Sequence, residues 1–181
     1  MLNPMNIYIG RLAEEARQEC NNQNIIANNQ LRLDQSVAEQ IISFFGGRLQ
    51  KFTEGDLTAK FPDKNISNSF IQVTNKSKSE FIIGYINFSA LDILHELGHA
   101  FLELDTMENE DVRWIGDEEG GIKEIEASQF ARAFLMPTEL FQEVVIDNSV
   151  KGYCNIDAVA NVFCVDESQV ICRGRESYLW E

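Results

Sequence analysis

The chain has 181 residues, 29 acidic against 15 basic side chains, a net charge of −14 and 44% apolar residues. That length fits one domain, or one domain with a small appendage, and the apolar content is enough for a real core. The acidity argues against a nucleic-acid surface, no run approaches the ~18 apolar residues of a membrane span, and no charged segment followed by an apolar stretch opens the chain.

The first predicted element is an amphipathic helix around Asn6 to Gln18. Its acidic residues Glu14, Glu15 and Glu19 favour packing against the domain over lying on a membrane. Asn21 to Asn29 is Asn-rich and reads as loop. Ser36 opens a second helix through Phe45, with Ser36 and Glu39 as a capping box and Gly46-Gly47 as its end. Arg48 to Phe52 follows as a strand. Phe70 to Val73 and Phe81 to Ile86 read as two further strands, joined by the polar turn Thr74 to Ser79. The second of them is either an edge strand, able to take an extended substrate by main-chain hydrogen bonds, or an interior strand.

The next segment carries the chemistry. The chain's two histidines both lie in His95-Glu96-Leu97-Gly98-His99. Ser89 to Asp92 reads as a capping box, and Leu91, Leu94, Gly98, Phe101 and Leu102 recur at helical spacing, so a helix is predicted over 89–104. Residues four apart stand one above the other on a helix, so two imidazoles there can share one metal ion, and Zn²⁺ is the usual occupant. Glu96 is offset by about 100° of helix rotation, bordering the metal as a base for a water proton. Gly98 beside His99 suggests the close approach of another group.

A catalytic zinc site has three protein ligands, and no third histidine exists. The four cysteines, Cys20, Cys154, Cys164 and Cys172, show neither CxxC nor framework spacing, which also fits a reducing compartment. The third ligand is therefore predicted to be a carboxylate. Glu103 continues the His95/His99 face, but its Cα lies about 12 Å along a straight helix from that of His95, so it reads as a second-layer or solvated residue. A buried helix is predicted over Ile122 to Met136, ended by Pro137. On its wheel Glu126 falls on the apolar side, where a carboxylate needs a cation, and Glu124 falls nearer the polar flank of Ser128, Gln129 and Arg132. Glu126 is preferred on this ground, with Glu124 as the alternative. Both also suit a first helical turn as dipole partners.

Between the two helices lie Glu103, Asp105, Glu108, Glu110, Asp111, Asp117, Glu118 and Glu119. They either rim the cleft and favour a basic protein substrate or form a solvated acidic loop. The tail, Asn155 to Trp180, has helix-turn-helix character. Ile156 to Phe163 is one helix, and Asp166 with Gln169 caps a second. Its acidic balance points to packing or partner binding, not DNA.

The two central helices, His95-Glu96-Leu97-Gly98-His99-Ala100 and Glu126-Ala127-Ser128-Gln129-Phe130-Ala131-Arg132-Ala133-Phe134-Leu135-Met136-Pro137, resemble the ImmA/IrrE family of zinc metallopeptidases. That family pairs an HELGHA-type helix with a later E-A-x-x-F-A-x-x-L-M-P helix. Fainter similarity reaches over about residues 36–175, including the Ser36 helix with its strand and the Ile156 to Val170 segment. The chain departs from the pattern at Asp92-Ile93-Leu94 and at Glu103, where the family often has a further histidine, and it is too short for the sensory domain of larger members.

The resemblance implies a gluzincin-like α+β fold: a small mixed sheet, the HExxH helix, a second ligand-bearing helix and a short helical C-terminal segment. The expected division is a peptidase domain over 1–150, with 1–30 as its N-terminal helix and loop, and a helical tail over 151–181. It implies Glu126 as third zinc ligand beside His95 and His99, and Glu96 as catalytic base. It further implies a cytoplasmic, zinc-dependent regulatory endopeptidase that cleaves a helix-turn-helix transcriptional repressor or similar regulator. Tyr85, Tyr153, an arginine or a backbone N–H is left to stabilise the oxyanion. The rival expectation is a non-catalytic zinc-bearing interaction module that binds a regulator or toxin.

Overall fold

The computed structural model describes residues 4–62, 68–109, 111–114 and 121–179. In chain order its elements are α1 (Pro4–Asn22), α2 (Gln35–Phe44), β1 (Gly47–Lys51), α3 (Glu54–Lys60), β2 (Ser69–Asn75) and β3 (Glu80–Tyr85). Then come α4 (Ala90–Glu103), β4 (Val112–Trp114), α5 (Gly121–Leu135), α6 (Thr138–Asp147), β5 (Ser149–Val150), β6 (Tyr153–Cys154), α7 (Ile156–Phe163) and α8 (Glu167–Glu176). The fold is mixed α+β, as expected. The acidic residues Glu110, Asp117, Glu118 and Glu119, and Trp180 of the tail, lie outside the described residues.

The chain forms two compact units, Asp34–Ser128 and the pair of segments Met1–Leu33 and Gln129–Glu181. The tail groups with α1 and α6 because its Arg173 is tied to residues of both, as described below.

In the Asp34–Ser128 unit the four strands are ordered β1-β3-β2-β4. β1 runs parallel to β3, while β2 is antiparallel to both β3 and β4. The β2–β3 connection turns through Ser79 at φ 54°. β3 is thus an interior strand, which removes the expectation that it offers a free edge. Phe70, Ile71, Val73, Phe81 and Ile83 are buried from both faces of the sheet, as in a strand pair covered on both sides. Gly84 has no Cβ because the Phe70 ring of the neighbouring strand occupies that space. β4 escaped prediction because three residues show no alternation.

α2 begins two residues earlier than its predicted Ser36 cap. Asp34 is the N-cap, its Oδ1 accepting from the Val37 N–H at 3.0 Å. Gly46, at φ 87°, ends that helix as expected. α3 was not anticipated, although Thr53 and Asp56 form a reciprocal capping box. α4 lies against β2 and β3 through an apolar face that includes Ile93, Leu94 and Leu97, each 0–2% exposed. Burying such side chains contributes about 1.5–3 kcal/mol apiece.

In the other unit, two buried arginines satisfy the carbonyls left open where Pro137 stops α5. Arg17 Nη1 donates to Phe134 O at 3.0 Å, and Arg173 Nε donates to Met136 O at 2.8 Å. Pro137 cannot cap α6 with a side chain. Glu14 Oε1 does so from α1, accepting from Thr138 N at 2.9 Å, Thr138 Oγ1 at 2.5 Å and Arg173 Nη2 at 2.8 Å. The Asp166/Gln169 capping box is not formed. Gln169 Oε1 instead accepts from Arg132 Nη1 at 3.2 Å, beside an Arg132–Glu176 pair. With Arg173 turned inward, the tail helix presents one cation fewer than its sequence suggests.

Candidate metal centre

α4 and the first turns of α5 supply the side chains of the site. Ser89 caps α4, its Oγ accepting from Asp92 N at 3.3 Å. The reciprocal half of the predicted box is replaced by Asn68, whose Nδ2 donates to Asp92 Oδ2 at 2.6 Å and to Asn87 O at 2.9 Å. Asn68 thereby ties the start of α4 to the ends of β2 and β3. From that anchored start, His95, Glu96 and His99 are carried into the interior, at 6%, 0% and 1% exposure.

The two imidazoles face one another, with Nε2 atoms 3.1 Å apart. The carboxylate that meets them comes from Glu124. Its Oε2 lies 3.1 Å from His95 Nε2, and its Oε1 lies 3.1 Å from His99 Nε2. His95, His99 and Glu124 thus gather one ligand atom each within 4.8 Å of one another, a group that could hold a metal ion. Tetrahedral zinc with bonds of about 2.0–2.1 Å sets its donors about 3.3–3.4 Å apart, close to the edges of this triangle. Two imidazoles and a carboxylate are also a zinc donor set. The residues fit the ion.

The structure does not bring Glu126, the preferred carboxylate, to the two histidines. Glu126 is buried, but its Oε2 sits 3.7 Å from Lys123 Nζ. Two positions along a helix turn the side chain by about 200°, so Glu124 and Glu126 cannot serve one site. The wheel argument placed the ligand on the apolar side. A metal centre is itself a polar patch inside the protein, and it is the polar flank, Glu124 with Ser128 one turn on, that turns to α4.

Each histidine has a second partner. His95 Nδ1 pairs with Ser128 Oγ at 3.0 Å, and His99 Nδ1 donates to Glu103 Oε2 at 2.9 Å. Glu103 is 3% exposed, so it is a buried partner of His99 and not a solvated residue. α4 runs unbroken through it, with Leu104 N bonded to Ala100 O. With both Nδ1 atoms occupied, both Nε2 atoms are left for the triangle.

Glu96 stands apart from the triangle. Ser69 Oγ, at the start of β2, donates to its Oε1 at 2.9 Å, and its buried Oε2 has no hydrogen-bond partner among the described residues. Burial pushes the Glu96 carboxyl up to about 8, against the pull of His99 and the Ser69 hydrogen bond. Burial works the same way on Glu124, but its hydrogen bonds to His95 and His99 prevail and hold it well below the usual carboxylate range. His99 is raised: desolvation would lower it, and Glu124, Glu96 and Glu103 outweigh that.

Ser69 and Ser128 escaped the sequence reading. Ser128 had a signal, since it follows Glu124 by four positions on the same helix face. Ser69 had none, because only the sheet brings it to Glu96, 27 positions away. Of the tyrosines considered for the oxyanion, Tyr85 is buried on β3 and Tyr153 is 82% exposed on β6 in the other unit. Among the acidic residues between the helices, Glu108 is exposed and pairs with Lys76 at 2.8 Å, the behaviour of a solvated loop residue.

Among the described residues no helix is long and apolar enough to cross a membrane. No curated protein matches the chain. Residues 89–170 match the family model of peptidase M78, the IrrE N-terminal-like domain. That span starts at the Ser89 cap of the histidine helix, includes the Glu124 helix and runs into α8. Over residues 89–170 the chain is thus similar to the IrrE N-terminal-like domain of the M78 peptidases, in agreement with the ImmA/IrrE resemblance of its motifs.

Proposed function

We propose that this protein is a zinc-dependent endopeptidase in which His95, His99 and Glu124 hold the ion and Glu96 is the general base. One observation carries the reading. A fully buried glutamate, with one oxygen anchored and the other without a partner among the described residues, lies on the same helix as two imidazoles that share a carboxylate. Leaving such an oxygen unsatisfied costs about 1–3 kcal/mol or more, so a partner that arrives with the reactants accounts for it.

Zinc bound there supplies Lewis acidity, lowering the pKa of a water and polarising a peptide carbonyl. The chain's own contribution is to move a proton. Glu96 Oε2 takes it from the attacking water, and the same carboxyl returns it to the leaving amine. Ser69 holds Oε1, which fixes the direction of the free oxygen. Glu103 and Ser128 hold the rings of His99 and His95.

The match to the M78 peptidase model supports a protein substrate. The ImmA/IrrE resemblance supports the finer proposal: a helix-turn-helix transcriptional repressor or similar regulator, cut in the cytoplasm. The test is co-expression with such a repressor encoded beside this chain. The reading expects a discrete cut product that disappears when a membrane-permeant zinc chelator is added. An intact repressor bound to the protein with no product would favour a zinc-bearing interaction module instead.

A further inference from the structure

We infer that Glu103 is a positioning residue that holds His99 in the metal-binding tautomer. The inference rests on the zinc reading above.

The geometry comes from one row of α4. His95, His99 and Glu103 follow one another at four-residue spacing, so they stack along one helix face. The ring of His99 bridges its neighbours in that row. Nε2 points back to His95, at 3.1 Å, and Nδ1 points on to Glu103, at 2.9 Å. Glu103 is therefore on the far side of the ring from the ligand triangle and cannot bind the same ion. Toward that ion it acts through His99.

Burial makes that action strong. A carboxylate at 3% exposure needs a donor, and the Nδ1–H of His99 is one. Accepting from Nδ1 leaves the Nε2 lone pair free and makes the imidazole a stronger base toward a metal. The two ligands are not equivalent in this respect, since His95 has only the neutral hydroxyl of Ser128 on its Nδ1.

The test is zinc affinity of the full chain, measured by competition with a chromophoric chelator, for wild type, Glu103→Gln and Glu103→Leu. Gln keeps an acceptor of the same shape but no charge, so it also guards against a variant that fails to fold. Affinity should fall in the order wild type, Gln, Leu, with Leu about 10–100-fold weaker than wild type. Cobalt substitution should show shifted visible bands for Glu103→Gln, because the field from His99 changes. A merely structural residue would lower the melting temperature of the zinc-free protein and leave those bands in place. Stoichiometric zinc in wild type, with undiminished affinity and unchanged cobalt bands in Glu103→Gln and Glu103→Leu, overturns the role of Glu103. A wild type that takes up no zinc overturns the metal site itself.

Discussion

Glu124 Oε2 lies 3.1 Å from His95 Nε2, although the two residues stand on different helices and 29 positions apart. Its other oxygen lies 3.1 Å from His99 Nε2, so Glu124 is the carboxylate that meets both histidines. Purified protein should hold about one zinc per chain. Glu124→Ala should lose most of it on dialysis, whereas Glu126→Ala should keep it. Metal analysis by mass spectrometry decides the point, and the reverse pattern would return the ligand role to Glu126.

Much of this site was legible in the sequence, for a physical reason. His95, Glu96 and His99 lie within one helical turn, so their relative placement follows from helix geometry alone. The partner across the gap was harder. Choosing between Glu124 and Glu126 needs the absolute rotation of α5, and that is set by packing along its length. α5 is apolar nearly all round, so its wheel gives little guidance to which face meets α4. The strands Phe70 to Val73 and Phe81 to Ile86 were visible as apolar runs bounded by polar turns. The parallel pairing of β1 with β3 was not, because register between distant strands leaves no local trace. The tail's capping box failed because a tertiary partner, Arg132, takes the side chain that a local cap requires.

A second expectation concerns the unit that contains the tail. Arg173 joins Met136 O, Glu14 and Thr138 Oγ1, and so holds the end of α5 and the start of α6 together. Arg173→Met should destabilise that unit by about 2–3 kcal/mol, below the 3–5 of a fully buried pair because Glu14 is partly open to solvent. Urea unfolding followed by circular dichroism measures it. A change under about 0.5 kcal/mol, the scale of an ordinary surface substitution, would show that the clamp is not stabilising.

The sheet offers a third. A Cβ on Gly84 would collide with the Phe70 ring, which is itself fully buried. Gly84→Ala should cost about 1–3 kcal/mol by overpacking. Pairing it with Phe70→Leu should recover part of that loss, because the leucine vacates the space. A double variant that loses the full sum of the two single losses would argue against this contact.

The central claim is that Glu96 is the base of a peptidase, and Glu96→Gln tests it with the least disturbance. Gln keeps the shape and the Ser69 hydrogen bond but cannot take a proton from water. The direct measurement is proteome-wide labelling of new protein N-termini in cells expressing wild type or Glu96→Gln, with zinc content measured on both purified proteins. The account predicts a small set of N-termini that depends on wild type and falls by roughly 10²-fold or more in the variant, the usual scale for a lost general base. Both proteins should carry the same zinc. Identical N-termini from zinc-loaded wild type and zinc-loaded Glu96→Gln would contradict it and leave a metal-bearing binding protein in its place.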